Sequence, residues 1–136
     1  MTDEPLVVRS IRRGLDALLA RDWSTYSNLL ADDYRYEDRR ALLATSHGKA
    51  TQLDNARAIA DGGVHTIDLD AMEARGERFA VCRLTFRGAD SDFVVVVLGV
   101  YEVDEEGRYL RSVIFEESQL DEARAELDAL AAQEQS

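Results

Sequence analysis

This chain of 136 residues contains one cysteine, one proline, two histidines and a single lysine. Each scarcity excludes something. A lone Cys82 leaves no partner for an intramolecular disulfide and suits a reducing cytoplasm. Cys82, His47 and His65 are scattered along the chain and make no zinc-ligand spacing, so neither a metal nor another cofactor is expected. Pro5 is the only proline, and no linker, repeat or low-complexity tract interrupts the sequence. Residues 1–136 therefore read as one domain, with 118–132 forming a C-terminal helical extension. No apolar run approaches the roughly 20 residues that span a bilayer. The start, Met1-Thr2-Asp3-Glu4-Pro5, lacks the charged-then-apolar order of a signal peptide, so a cytoplasmic location is expected. Basic residues are few as well: 16 against 27 acidic, a net charge of −11. With no basic surface to displace counterions, neither nucleic acid nor an anionic membrane is an expected partner.

What is present is a strong change of periodicity along the chain. From Leu6 to Ala20, Ile11, Leu15, Leu18 and Leu19 recur at helical spacing. Asp22 suits the N-cap of a short helix carrying Trp23, Tyr26, Leu29 and Leu30, which read as core. Residues Tyr34–Asp38 alternate as a strand, and a loop through Thr45-Ser46-His47-Gly48 leads to a third helix, Lys49 to Ala60, closed by Gly62-Gly63. Four β-rich runs follow: Val64–Ala74, Arg78–Arg87, Asp92–Val103 and Tyr109–Glu116. The turns between them, one of them Gly88-Ala89-Asp90-Ser91, are short, which predicts an antiparallel meander. Ser118-Gln119-Leu120-Asp121 looks like a capping box opening a last helix striped by Leu120, Ala123, Leu127 and Leu130. The class is α+β: a cone-shaped, curved antiparallel sheet packed on N-terminal helices, plus a C-terminal helix. The run Phe93–Tyr101 does not alternate, so both sheet faces are apolar there. The C-terminal helix or a second copy of the chain must cover the second face, and a homodimer through that face is the expectation.

The phrases Ala20-Arg21-Asp22-Trp23, Leu29-Leu30-Ala31-Asp32-Asp33 and Glu37-Asp38, with Gly48 and the later Val103-Asp104-Glu105-Glu106-Gly107-Arg108 … Val113-Ile114-Phe115, resemble the nuclear transport factor two-like superfamily. Within it the chain is similar to bacterial SnoaL-like and ketosteroid-isomerase-like domains, over roughly Leu6 to Glu117. The resemblance implies a cone with a pocket open at one end. It also implies that Asp38 stands where the isomerases carry their general base. The tyrosine and protonated aspartic acid of their oxyanion hole align with Gly14 and Gly99, and the acid/base aspartate of SnoaL-like cyclases with Ile114. All three polar groups are missing, and one oxyanion donor is typically worth about 3–4 kcal/mol in the transition state. Steroid isomerisation is thereby rejected, and the two glycines are expected to enlarge the cavity.

The expected function is to hold a small, mostly apolar molecule in the pocket, with Gly14, Leu18, Tyr36, Cys82, Gly99, Ser112 and Ile114 as candidate ligand contacts. The alternative is an isomerase, cyclase or hydrolase with Asp38 as base and Glu116 as a second carboxylate facing it. His47 is a further candidate proton-transfer or gating group. Each candidate has a plainer reading. Asp38 and Glu37 can pair with Arg35, Arg39 or Arg40; Glu116 can be a mere strand end; Cys82, with no cation beside it on its face, reads as a packed thiol. Arg83 and Arg87 fall on the opposite face, within reach of Glu73 or Asp92. A third possibility is an interaction module whose cavity is filled by side chains.

Overall fold

The computed structural model describes residues 4–40, 45–89 and 94–135. The expected start of a strand at Asp92 and the Asp90-Ser91 turn lie outside these residues. The elements are α1 (Leu6–Ala20), α2 (Trp23–Asn28), β1 (Leu30–Asp38), β2 (Thr45–Gly48), α3 (Lys49–Asp61), β3 (Val64–Arg75), β4 (Phe79–Gly88), β5 (Val94–Val103), β6 (Tyr109–Glu116) and α4 (Leu120–Gln135). The strands form one sheet in the order β2-β1-β6-β5-β4-β3.

Two expectations about the sheet are corrected. The sheet is mixed, because β1 runs parallel to β6, pairing Tyr36 with Ser112 and Asp38 with Ile114. The meander rule applies to neighbours joined by short turns, and β1 and β6 are not neighbours in sequence. In addition, Thr45–Gly48 is an edge strand rather than a loop, antiparallel to β1 with His47 opposite Tyr36.

Local chemistry accounts for the helices. The Asp22 carboxylate accepts from the Thr25 backbone N–H at 3.2 Å and caps α2. Along α1 the buried face is Val7, Ile11, Gly14 and Leu18, at i, i+4, i+7 and i+11, while Leu19 turns out to solvent. Arg21 ends α1 in the left-handed conformation, and its guanidinium donates to the Ala60 carbonyl at 2.9 Å, fastening α3 beside α1. The expected capping box sits earlier than Ser118. Glu116 and Gln119 form it around a short 3-10 turn, Glu117–Gln119, with Gln119 Oε1 accepting from the Glu116 N–H at 2.7 Å.

The sheet separates two apolar clusters, which is why the valine-rich strand does not alternate. Val97, Tyr101, Ala80, Cys82, Leu84 and Ile114 face α1 and α3. Leu98, Val100, Phe79, Val81, Val113 and Phe115 face α4, packed against Ala123, Leu127 and Leu130. The second face is thus covered by the chain's own helix, and the ground for a second copy on it falls away. Ion pairs fasten the rim of α4: Arg39 to Glu126 at 2.6 Å and Arg124 to Glu73 at 2.8 Å. Arg83 and Arg87 do lie on this face, but Arg83 meets Asp70 and Glu117, and Arg87 meets Asp68.

A further correction concerns the glycines. An ideal Cβ on Gly14 would stand 2.2 Å from the Tyr109 hydroxyl oxygen, and one on Gly99 would stand 2.3 Å from that of Tyr101. The space above each glycine is therefore filled by a tyrosine ring and does not widen the cavity. Tyr109 is buried and donates its O–H to the Ser10 carbonyl at 2.9 Å. Gly14→Ala should consequently destabilise the fold by about 1–3 kcal/mol, although alanine is the better helix former by about 1 kcal/mol. A lowered urea midpoint checks this; an unchanged or raised midpoint would mean that Tyr109 moves aside freely.

Candidate functional site: a tyrosine-lined cavity with one ion pair

Between α1, α3 and the concave face of the sheet lies a cavity of about 560 Å³. Its inner wall is built from buried residues: Ile11, Gly14 and Leu18 of α1, Tyr26 of α2, Tyr34 of β1, Leu84 of β4, Tyr101 of β5 and Tyr109, Ser112 and Ile114 of β6. Its exposed border is formed by Thr45, by Asn55 and Ala58 of α3, by Gly62 and by Val95. The volume lies within the roughly 300–1,000 Å³ of small-molecule sites.

Five tyrosines, Tyr26, Tyr34, Tyr36, Tyr101 and Tyr109, border this space. Their hydroxyls are treated differently. Tyr34 donates to Ser112 Oγ at 2.8 Å, and burial pushes its phenol well above the ordinary value. The Tyr26 hydroxyl accepts from Gln52 Nε2 at 3.0 Å, and Gln52 Oε1 lies 2.9 Å from His47 Nε2. The His47 ring stacks on Tyr36, with centroids 4.3 Å apart and planes 7° from parallel. This chain of contacts locks α3, β2 and β1 together, and it holds Tyr36 against the cavity. Tyr36 is raised to about 12, by burial first and then by the neighbouring Asp38 charge.

Asp38 ends β1, with its side chain buried among these groups. Arg40 grips it from two residues on: Nε lies 3.0 Å from Oδ1, Nη2 lies 2.7 Å from Oδ2, and the Arg40 backbone N–H donates to Oδ1 at 3.0 Å. The Tyr36 hydroxyl adds a longer bond at 3.3 Å. Burial acts to raise the carboxyl, but the Arg40 hydrogen bonds and charge outweigh it and hold the group below its ordinary value. Asp38 is therefore ionised at neutral pH and a weak base. Of the three arginines weighed as its partners, Arg40 takes it, and Arg39 turns to Glu37 and Glu126.

Of the sequence candidates, Asp38, Gly14, Leu18, Tyr36, Ser112 and Ile114 line the cavity. Glu116 does not: its exposed side chain accepts from the Gln119 backbone in the capping box. Cys82 faces the same side of the sheet but is fully covered, and burial pushes its thiol up to about 12, which leaves it inert. Gly99 lies beneath the Tyr101 ring. Sequence reasoning missed Tyr101 and Tyr109 as lining groups. Strict alternation puts Tyr109 on the opposite face with Val113 and Phe115, and a bulge reverses that placement. Val103 pairs with Tyr109 but Glu102 with Arg111, so Leu110 is an extra residue and the strand's facing changes there.

Among the described residues, no group of three His, Cys, Asp or Glu side chains is placed to hold a metal, and no helix is long and apolar enough to cross a membrane. No protein-family model matches the chain, and no curated protein matches it in sequence. Solved structures do match its shape. A Kribbella flavida protein provisionally called a ketosteroid isomerase superposes with a TM-score of 0.65 at 24% identity, over 85% of this chain and 80% of that one. An epoxide hydrolase from Mycobacterium tuberculosis, described as LEH-like, gives 0.64 at 20% identity over 85% and 84%. An NTF-2-like protein of unknown function from Burkholderia xenovorans gives 0.62 at 10% identity over 80% of both chains. The sequence phrases and the superpositions converge: this chain has the cone fold of the nuclear transport factor two-like proteins.

Proposed function

We propose that this protein binds a small, mostly apolar molecule in its cavity, without the acid/base machinery of the isomerases it resembles in shape. The observation that carries the reading is the cavity itself, about 560 Å³ walled mainly by aliphatic and tyrosine side chains. The charged groups that could do chemistry there, Asp38 and Arg40, are spent on one another. Asp38 is the only carboxylate among the described lining residues, and Arg40 neutralises it and lowers its basicity. A homodimer through the sheet face is not part of the proposal, since α4 lies on that face.

The alternative keeps Asp38 as a general base on a hydrophobic substrate. Its support is the placement of Asp38 in the cavity wall, as in the resemblance to ketosteroid isomerases. Against it stand the depressed carboxyl and the position of Glu116 outside the cavity. Turnover of any substrate that is abolished in a folded Asp38→Asn variant would favour this alternative.

The binding reading is tested by titrating the protein with tetralin and by native mass spectrometry of the purified chain. Saturable binding is expected, together with at least a tenfold loss in Val97→Trp, which fills the cavity from β5. A bare mass, combined with no tetralin binding, would overturn it.

A further inference from the structure

Tyr101 is 6% exposed and lines the cavity, yet its hydroxyl makes no hydrogen bond to any described residue. The other buried phenols named above are partnered: Tyr26 by Gln52, Tyr34 by Ser112 and Tyr109 by the Ser10 carbonyl. The hydroxyl is not sealed in protein but opens onto the cavity, so an occupant that displaces water from it must either accept its hydrogen bond or leave it unpaired, at a cost on the order of 1–3 kcal/mol. Burial keeps the Tyr101 phenol protonated, so it remains a donor.

The orientation of the ring is built into the sequence. Tyr101 and Gly99 share a face of β5, and the ring lies back over the glycine, with its Cζ, Cε2 and oxygen all within 2.5 Å of where a Cβ would stand. The hydroxyl is thereby carried along the strand towards Val97 and Val95, the end that borders the opening. Gly99 pairs with Ile114 across β5 and β6, and Ile114 pairs with Asp38 across β6 and β1. Two strand spacings put the Asp38 and Gly99 backbones about 10 Å apart. The hydroxyl and the Asp38–Arg40 pair therefore stand on opposite sides of an apolar strip.

We propose that Tyr101 is the polar anchor of the cavity, donating its O–H to a neutral oxygen, a carbonyl or a hydroxyl, on an otherwise apolar ligand. Neutrality follows from the charges on the page. The cavity's cation, Arg40, is committed to Asp38, and a ligand carboxylate would meet that carboxylate and a chain of net charge −11 with no free cation among the described lining residues to receive it. The proposal rests on the ligand-binding reading above.

The test compares two probes of nearly one shape, 2-tetralone and tetralin, on the native chain and on Tyr101→Phe. The variant is expected to bind 2-tetralone about tenfold more weakly and tetralin within twofold of the native chain. Infrared spectroscopy of carbonyl-labelled 2-tetralone supplies a readout that needs no variant: the C=O stretch should shift to lower frequency on binding. Equal losses for both probes, or no loss for 2-tetralone, would overturn the anchor while leaving the cavity reading intact. So would a bound carbonyl with the stretch it has in hydrocarbon solvent. If neither probe binds the native chain and its native mass is bare, both readings fall together; if the native mass carries an adduct that has no neutral carbonyl or hydroxyl, the anchor alone falls.

Discussion

Leu127→Asp should detach α4 and lower stability by about 4 kcal/mol or more, with concentration-dependent association at neutral pH. Leu127 is fully buried, seated with Ala123 and Leu130 on Leu98, Val100, Val113 and Phe115. Deleting such a side chain costs about 2–5 kcal/mol, and placing a carboxylate in the same apolar seat adds a desolvation penalty. The exposed face would then be the non-alternating stripe of β5 and its neighbours, a surface that cannot remain bare in water. Urea denaturation reads the first effect and size-exclusion chromatography across concentrations reads the second. A Leu127→Asp variant with native stability and an unchanged elution volume would show that α4 is dispensable and that the face is sealed in some other way.

Arg40→Met carries the second large effect, a loss of stability that is greatest at neutral pH and shrinks as pH falls. In the native chain the Asp38 carboxyl sits below its ordinary value of 3.8. A group depressed on folding contributes stability above its unfolded value, and that contribution is lost as pH falls through the folded one. The pair therefore stabilises throughout the neutral range and begins to fail only below about pH 4. Removing Arg40 leaves a carboxylate that is 5% exposed and held only by the long Tyr36 bond and the backbone of residue 40. Burial, the largest single influence on the group, then acts with little opposition and lifts the carboxyl above its unfolded value. Breaking a buried pair costs about 3–5 kcal/mol, and access of cavity water reduces this to about 2–3 kcal/mol at pH 7. The variant should regain stability as pH falls from 7 towards 4, where the native chain shows no such gain from this group. Thermal midpoints of both proteins between pH 4 and 7 test this. Parallel curves would mean that Arg40 does not set the Asp38 charge.

Much of the architecture was legible in the residues. The edges of β6 follow from its β-rich run and flanking turns, the α2 cap from Asp22, and the core stripe of α1 from apolar spacing, apart from Leu19. Asp38 was recognisable from the Glu37-Asp38 phrase at the end of β1. Glu116 was not placed correctly, because strand parity gives a residue's facing only where the ladder is regular, and at the strand's last residue the carboxylate turns to cap the 3-10 turn that follows. The same limit hid Tyr109, since one inserted residue, Leu110, reverses the facing and leaves no local mark in composition.

The sequence by itself determined the order of elements apart from β2, the two-sided burial of β5 and Asp38 as a candidate at the end of β1. These are local matters: periodicity, capping chemistry and turn residues act over a few positions and leave a pattern that can be counted. Only the tertiary structure decided the rest. It chose α4 over a second copy to cover the sheet, made β1 and β6 parallel, tied Arg40 to Asp38, and laid Tyr101 and Tyr109 over the two glycines. Most of these outcomes depend on which side chain occupies a volume shared by segments far apart in the chain. An absent Cβ marks such a volume in the sequence without naming the ring that fills it.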